Sequence, residues 1–344
     1  MPDFIYTTRP HRTGNLFMND PNYSGFQNPL SIYADKYLLP LAAAASVGSL
    51  VYGLASKGSS PPARLDRPLA VAKAKTMINR FRGQVGRGKW PGLDRTSVAD
   101  RLELLLDSPY LVNQGGNGLC GEAAFLYVWL SEDPWSVARY CVQLYNGGAA
   151  SVGTDVWVRP RESLRSQDFT KVAKMMVDRN SADKDAIKWS AEWMMMSALR
   201  DANNFIISYD GTPSDDWGSG SSNGEVADWL RATGVFKDVS LADGRGSKNN
   251  FAAAAKLDPQ TSVVILSIDS RMFKETITGP GNDTHNAVLK SPIVVTEYGT
   301  VDFDVWTWGN PVGPVSALRA TYHQSELSPA QFTAEYFGAI IATR

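Results

Sequence analysis

A glycine-rich loop runs directly into a cysteine and then into an apolar run in the stretch NQGGNGLCGEAAFLYVWL, which begins at Asn113. A thiol is an effective nucleophile as a thiolate, and the dipole and free amides of a helix N-terminus lower its pKa. Cys120 stands where the loop ends and a predicted helix begins. This position predicts a nucleophile at Cys120, and the alternative is a small buried residue at a helix start.

A thiolate nucleophile needs a base that exchanges a proton with it and with the leaving group. Of the three histidines, His285 follows the loop TGPGNDT and opens the stretch NAVLKSPIVV, where a strand would hold its ring. We therefore predict that His285 pairs with Cys120, the alternative being a structural or solvated histidine at a strand edge. His11 and His323 lie in irregular or polar surroundings, and Cys141 lies within a predicted helix, where we expect it to be structural.

The elements that must position these residues change character along the chain. Apolar periodicity predicts helices at residues 67–82, 96–109, 121–131, 135–146, 181–204 and 224–236. β-rich stretches follow at residues 261–269, 285–295, 300–309 and 338–344. The predicted fold class is α+β, with a helical first half that carries the cysteine and a sheet-forming second half.

Residues 1–66 differ in composition from the rest, and they end in the linker-like cluster SKGSSPPARLDRP. Within them, residues 37–55 carry no charge and are long enough to span a bilayer, although a buried alanine-rich helix explains the same residues. The sequence thus predicts an N-terminal extension at 1–66 and a catalytic domain at 67–344. The N-terminus lacks the charged start, apolar core and cleavage site of a secretory signal, which indicates a non-Sec export route for a protein that acts outside its cell.

Composition narrows the class of protein. The 344 residues carry a net charge of -1 and no basic run of the kind that binds phosphates, so nucleic acid is not an expected partner. The two cysteines are too few for a disulfide framework and do not form a CxxC metal pair. We expect a protein made in a reducing compartment, without a metal or another cofactor.

The stretch QGGNGLCGEAAF resembles the active-site entrance of the papain-like cysteine peptidases. In that family a glutamine six residues before the nucleophile supplies an oxyanion-hole donor, and Gln114 lies six residues before Cys120. A histidine at the head of a strand follows, and then an Asn or Asp on the returning strand beside a Trp-Gly pair, which Trp308 and Gly309 match. The resemblance covers roughly residues 96–344 through three short motifs. It implies a papain-like fold, with a helical half that carries the nucleophile and an antiparallel sheet after it.

One position departs from the family pattern. Trp306 occupies the place of the orienting Asn, and an indole has no oxygen that accepts the imidazole proton. We predict Asp304 as the third catalytic residue, with Asp302 and Asn310 as alternatives and a Cys-His dyad as another. Each acid is equally well explained as a solvent-facing strand residue.

The resemblance implies acyl transfer through a thioester, with the oxyanion held by Gln114 and the Cys120 backbone N–H. The longer pattern is also similar to papain-like toxin domains of bacterial effectors. That likeness implies a peptidase exported by a route such as type VI secretion for competition between bacteria, which cleaves a protein in the recipient cytoplasm. A cognate immunity protein would be its partner, and a chaperone or secretion component would bind residues 1–66. The alternatives are a glutamine deamidase or transglutaminase, and an inactive papain-like binding module.

Overall fold

The computed structural model describes residues 65–204, 208–215, 220–243, 250–274 and 284–344. The predicted N-terminal extension and its apolar segment, residues 37–55, lie outside these ranges. The described residues belong to one compact unit and combine eleven α-helices with antiparallel strands, which confirms the α+β class. None of the described helices combines the length and the hydropathy that a membrane span requires.

Eight helices form the first part of this unit: α1 Arg67–Arg82, α2 Arg95–Asp107, α3 Cys120–Glu132, α4 Pro134–Gly147, α5 Glu162–Arg165, α6 Phe169–Arg179, α7 Ser190–Asn203 and α8 Asn223–Ala232. Side-chain caps fix several of their starts. The Asp94 carboxylate accepts a hydrogen bond from the Ser97 backbone at 2.7 Å, and Ser222 and Glu225 form a reciprocal capping box at α8. These caps set where each helix begins, and so which residue stands at its N-terminus.

Helices α3 and α7 lie at the centre of the helical layer. In α3 every residue from Gly121 to Leu130 is buried, and in α7 the same holds from Ser190 to Asp201. A helix that is buried all round is a core helix, fixed by its neighbours on every side. The first turn of α3, which begins with Cys120, is therefore held by packing rather than by its own helix propensity.

The predicted long helix at residues 181–204 is shorter than its pattern suggested. Residues Ser181–Asp183 and Ala186–Lys188 form separate 3₁₀ turns, and α7 starts only at Ser190. The Asn180 side chain accepts from the Ala182 backbone, and the Lys188 ammonium donates to Asp185 at 2.9 Å. These local hydrogen bonds stabilise turns in place of a continuous helix.

The second part of the unit is built on a six-stranded antiparallel sheet with the order β3–β10–β4–β5–β8–β9. Its strands are β3 Asp238–Asp243, β4 Ser262–Asp269, β5 Thr284–Leu289, β8 Asp304–Trp306, β9 Gly313–Pro314 and β10 Tyr336–Thr343. Two short hairpins are separate from this sheet: β1 Ala150–Val152 with β2 Val156–Val158, and β6 Val294–Val295 with β7 Val301–Asp302. The stretch 285–295, predicted as one strand, is therefore divided between β5 and β6.

Both faces of β4 and β5 are buried, so alternate residues of these strands enter different cores. Val288 and Trp306, which are cross-strand partners, join the core of the helical layer. Ala287 and Leu289 join a second core. Three short helices lie in this part of the chain: α9 Asn250–Ala254, α10 Val315–Thr321 and α11 Pro329–Glu335. By the same alternation, His285 belongs to the face of Ala287 and Leu289.

Candidate active site

Cys120 is the first residue of α3, as predicted, and its sulfur lies against the start of β5. The thiol donates to the Thr284 carbonyl oxygen at an S···O distance of 3.8 Å and accepts from the backbone N–H of Asn286. Thr284 and Asn286 are the residues immediately before and after His285. The structure thus brings the Cys120 sulfur to the backbone on both sides of His285, 165 positions further along the chain.

The contact between the N-terminus of α3 and β5 depends on how few residues of β5 pair with β8. In the described strands β8 pairs with β5 at Val288 and Leu289, and the first half of β5, which pairs with β4 on its other side, meets the N-terminus of α3. Gly121 then allows the close approach. A Cβ atom at Gly121 would lie 3.0 Å from Val226 Cγ2 and 3.3 Å from Asn286 Nδ2, which is closer than side chains normally pack.

The loop before Cys120 needs its glycines for their backbone conformation. Gly115, Gly116 and Gly118 have φ values of 63°, 70° and 68°, a left-handed region that other residues rarely adopt. Gln114 is half-buried within this loop, and its carbonyl accepts from the Asn117 backbone at 3.2 Å. Gln114, the predicted oxyanion-hole donor, therefore lies in the turn that leads to Cys120.

The same loop contacts the Trp-Gly pair of the second half. The Asn113 side-chain amide donates to the Trp308 carbonyl at 3.4 Å, across 195 positions of sequence. A Cβ atom at Gly309 would lie 3.0 Å from both Asn113 Nδ2 and the Val112 carbonyl oxygen, so the pair requires glycine there. The loop with Gln114 and the turn with Trp308 thus form one contiguous surface around the site.

His285 is 5% exposed, and its ring is fixed by two contacts. Its Nε2 atom lies 2.5 Å from the Thr307 hydroxyl oxygen, and its ring stacks on the Trp308 indole with centroids 4.6 Å apart. Trp308 has a φ of 51°, an uncommon value for a residue other than glycine, and this left-handed turn after β8 brings the indole over the imidazole. With Nε2 engaged, Nδ1 is the ring atom left to exchange a proton.

The prediction of Asp304 as the partner of His285 does not match this geometry, because the hydrogen bond comes from Thr307. The pairing of Val288 with Trp306 places even-numbered β8 residues on the face opposite His285. Asp304 lies on that opposite face. Its backbone N–H donates to the Ser291 hydroxyl oxygen at 2.6 Å, and its carbonyl accepts from the Lys290 backbone N–H at 2.8 Å.

The remaining predicted alternatives have structural roles. Asp302 accepts from the backbone and hydroxyl of Ser316 at the start of α10, and the Asn310 backbone donates to the Thr307 carbonyl at 3.0 Å. Trp306 is a core residue: its indole N–H donates to the Tyr110 carbonyl at 2.8 Å. Thr307 is the residue that sequence reasoning missed, and the register of β5 with β8 was the signal needed to find it.

Burial keeps both members of the Cys-His pair uncharged. It raises the pKa of the Cys120 thiol to about 11, an effect opposed by the N–H of Asn286 and increased by the charge of Glu122. It lowers the pKa of His285 to about 3, with a further contribution from the Lys274 ammonium. Cys120 is half-buried, so part of the residue is accessible to solvent. At pH 7 burial therefore holds the Cys120 thiol protonated and the His285 imidazole neutral, whereas the sequence had predicted a thiolate and an imidazolium.

Other features that could form a site in the described part of the chain are metal-binding clusters, cavities and the second cysteine. The described residues contain no group of three or more His, Cys, Asp or Glu side chains arranged to hold a metal ion. Two surface cavities of about 350 and 460 Å³ lie beside Trp90 and beside Tyr298, and neither is lined by Cys120. Cys141 is fully buried, and burial raises its pKa far above the usual range of a thiol. Comparisons with protein-family models, curated proteins and solved structures give no match.

Proposed function

We propose that the protein is a papain-like cysteine peptidase in which Cys120 is the nucleophile and His285 the base. One observation carries the proposal: a cysteine at the N-terminus of a buried helix lies against the backbone on both sides of a histidine whose far nitrogen is fixed. The order of helices before sheet, and the contact of the Gln114 loop with the Trp308 turn, also support the papain-like assignment.

The neutral pair requires that proton transfer accompany attack. The Cys120 sulfur bonds to the substrate carbonyl carbon as its proton passes to His285 Nδ1, and the carbonyl electron pair moves to the oxygen. Gln114 and the Cys120 backbone N–H donate to that oxyanion. The imidazolium then gives its proton to the leaving amine, which departs and leaves a thioester. Water hydrolyses the thioester by the same sequence of steps and restores the thiol.

The group that contacts the His285 ring is the neutral hydroxyl of Thr307 rather than a charged carboxylate. This hydroxyl contacts Nε2 of the ring, and in the proposed mechanism the hydroxyl oxygen accepts from Nε2–H and so selects the tautomer in which Nδ1 is basic. A hydroxyl stabilises an imidazolium less than a charged oxygen does, which agrees with the low pKa of His285. We therefore assign Thr307 the orienting role that the sequence had suggested for Asp304.

We further propose that the peptidase is a bacterial effector that acts in the cytoplasm of a recipient cell. The likeness of its sequence pattern to papain-like toxin domains supports this, and it implies a cognate immunity protein and an export partner for residues 1–66. Expression of wild type, Cys120→Ala and Cys141→Ala in a susceptible bacterium tests the proposal. We expect wild type and Cys141→Ala to arrest growth and Cys120→Ala to allow it, and equal growth of wild type and Cys120→Ala would refute the toxin assignment.

The reaction is identified by mass spectrometry of a lysate treated with the protein. New protein termini that appear with wild type and not with Cys120→Ala support a peptidase. A shift of about one mass unit on glutamine side chains indicates a deamidase instead, and cross-linked glutamines indicate a transglutaminase.

An inactive binding module is the second candidate, because burial holds the Cys120 thiol protonated. An amide alkylating probe separates the two, since only a working pair makes labelling of Cys120 depend on the imidazole. Loss of labelling in His285→Ala supports an enzyme, and labelling unchanged by that substitution supports the binding module.

A further inference from the structure

A carboxyl group is buried two residues along the chain from the proposed nucleophile. Glu122 lies in the first turn of α3, two residues after Cys120, and its side chain is fully buried. The Ser221 hydroxyl donates to Glu122 Oε1, while the buried Oε2 atom has no hydrogen-bond partner in the described part of the chain. A buried carboxylate oxygen without a partner is costly, so this group resists ionisation.

Among the described residues, one cation, Arg200, contacts Glu122, and it also contacts a second acid. Arg200, from α7, lies 3.7 Å from Glu122 Oε1, and it also donates to the Ser221 hydroxyl and pairs with Glu225 of α8 at 3.2 Å. Tyr209 is the other titratable neighbour, and the charge of Glu122 raises its pKa. With Arg200 divided between two acids, burial raises the pKa of Glu122 to about 7 and the charge of Glu225 adds to this.

Glu122 and Cys120 flank one tightly packed glycine. Gly121 separates them, and a Cβ atom there would lie 3.1 Å from Ser221 Cβ and 3.3 Å from Asn286 Nδ2, on the two sides that hold the carboxyl and the thiol. The charge of Glu122 raises the pKa of Cys120, and by linkage an ionised Cys120 opposes the ionisation of Glu122.

We propose that Glu122 is a positioning residue that gates Cys120: charged, it holds the thiol in its unreactive form, and protonated, it releases this restraint. The gate opens as the pH falls below neutral, which is opposite to the rise in reactivity of an ordinary thiol with pH. This inference rests on the proposed function only in taking Cys120 as the nucleophile.

The test is the rate constant for alkylation of Cys120 by iodoacetamide in the full-length protein from pH 5 to pH 9, with the labelled site identified by peptide mapping. The Glu122→Gln rate divided by the wild-type rate is expected to be about one at pH 5 and about tenfold at pH 9, with its midpoint near the pKa of Glu122. A ratio of one throughout would overturn the proposal. Taking a ratio removes the pH dependence of the probe reaction itself.

Two further variants keep the test decisive even where Glu122→Gln does not fold. Ser221→Ala removes a hydrogen bond that lowers the pKa of Glu122, so its rate should exceed wild type near pH 7 and match it at pH 5 and pH 9. Glu225→Gln removes a charge that raises the same pKa, so its rate should fall below wild type near pH 7 and match it at both ends. Profiles of both variants that coincide with wild type would refute the gate.

The outcome is separable from that of the proposed function, because no substrate is hydrolysed in this assay. A protein that cleaves no substrate and shows the expected ratios supports the gate and refutes the peptidase. A peptidase whose Glu122→Gln ratio stays at one supports the function and refutes the gate.

Discussion

Acid should destabilise the fold through His285, and the size of the effect follows from its burial. The folded protein keeps this imidazole uncharged down to about pH 3, whereas the unfolded chain protonates it as the pH falls below 6.5. The unfolded state then binds more protons, so the free energy of unfolding falls as the pH falls. The loss from this one group is about 2 kcal/mol at pH 5 and about 3 kcal/mol at pH 4, approaching about 5 kcal/mol below pH 3.

The substitution that isolates this effect is His285→Gln, whose side chain does not titrate and keeps an amide to hydrogen-bond with Thr307. Urea denaturation at pH 7, 5 and 4 gives the free energy of unfolding of both proteins. Glu122 acts in the opposite direction, because its raised pKa favours the folded state as the pH falls toward 4.5, but it is present in both proteins and cancels in the difference.

We expect His285→Gln to lose stability relative to wild type at pH 7 and to recover about 2 kcal/mol of that difference at pH 5. Parallel acid dependence in the two proteins would refute the reasoning, because it would mean that the imidazole protonates in the folded state as readily as in water.

Three other outcomes follow from the packing around the site. Thr307→Val, which leaves the His285 ring nitrogen without its partner, should lower the free energy of unfolding by about 1–3 kcal/mol in urea denaturation, and Thr307→Ser should restore most of it. Equal stability of the Val and Ser variants would contradict the hydrogen bond. Gly121→Ala should destabilise by about 1–3 kcal/mol, because its Cβ meets Val226 at 3.0 Å, whereas Gly147→Ala in α4, with open space around it, should not destabilise. Gly115→Ala should also destabilise, since its φ is 63° and Met176 Sδ would lie 2.5 Å from the new Cβ, and an unchanged melting temperature would refute that.

The sequence predicted the helical side of the site well, because its signals are local. Glycines before Cys120 and an apolar run after it specify a loop and a helix start, and the structure begins α3 at Cys120. A left-handed loop needs glycine wherever it occurs, so the composition of the stretch carries its geometry. The helix at residues 67–82 was likewise placed to the residue.

The strand side was harder, because the face of each residue depends on a pairing between distant segments. Asp304 was preferred as the acid nearest the Trp-Gly pair, but a register of Val288 with Trp306 turns it away from His285 and leaves Thr307 on the correct face. A shift of one residue exchanges the two faces of a strand, and alternation within one strand does not fix that register. The left-handed turn at Trp308 was equally hidden, since the indole is held there by its stacking on His285.

The protonation state of Cys120 could not be predicted from the sequence either. A helix N-terminus predicts a lowered thiol pKa, and three backbone N–H groups do lower that of Cys120. Burial and the charge of Glu122 outweigh them, and burial depends on tertiary packing that the sequence pattern does not reveal.

The dependence of Cys120 reactivity on His285 is the most direct test of the catalytic pair. The measurement is the rate constant for alkylation of Cys120 at pH 7 in wild type and in His285→Ala, with buried Cys141 as the unlabelled internal control. A neutral thiol that loses its general base should react about 10²-fold or more slowly, so we expect labelling to fall by that factor in the variant. Equal rate constants in the two folded proteins would contradict the pairing of Cys120 with His285.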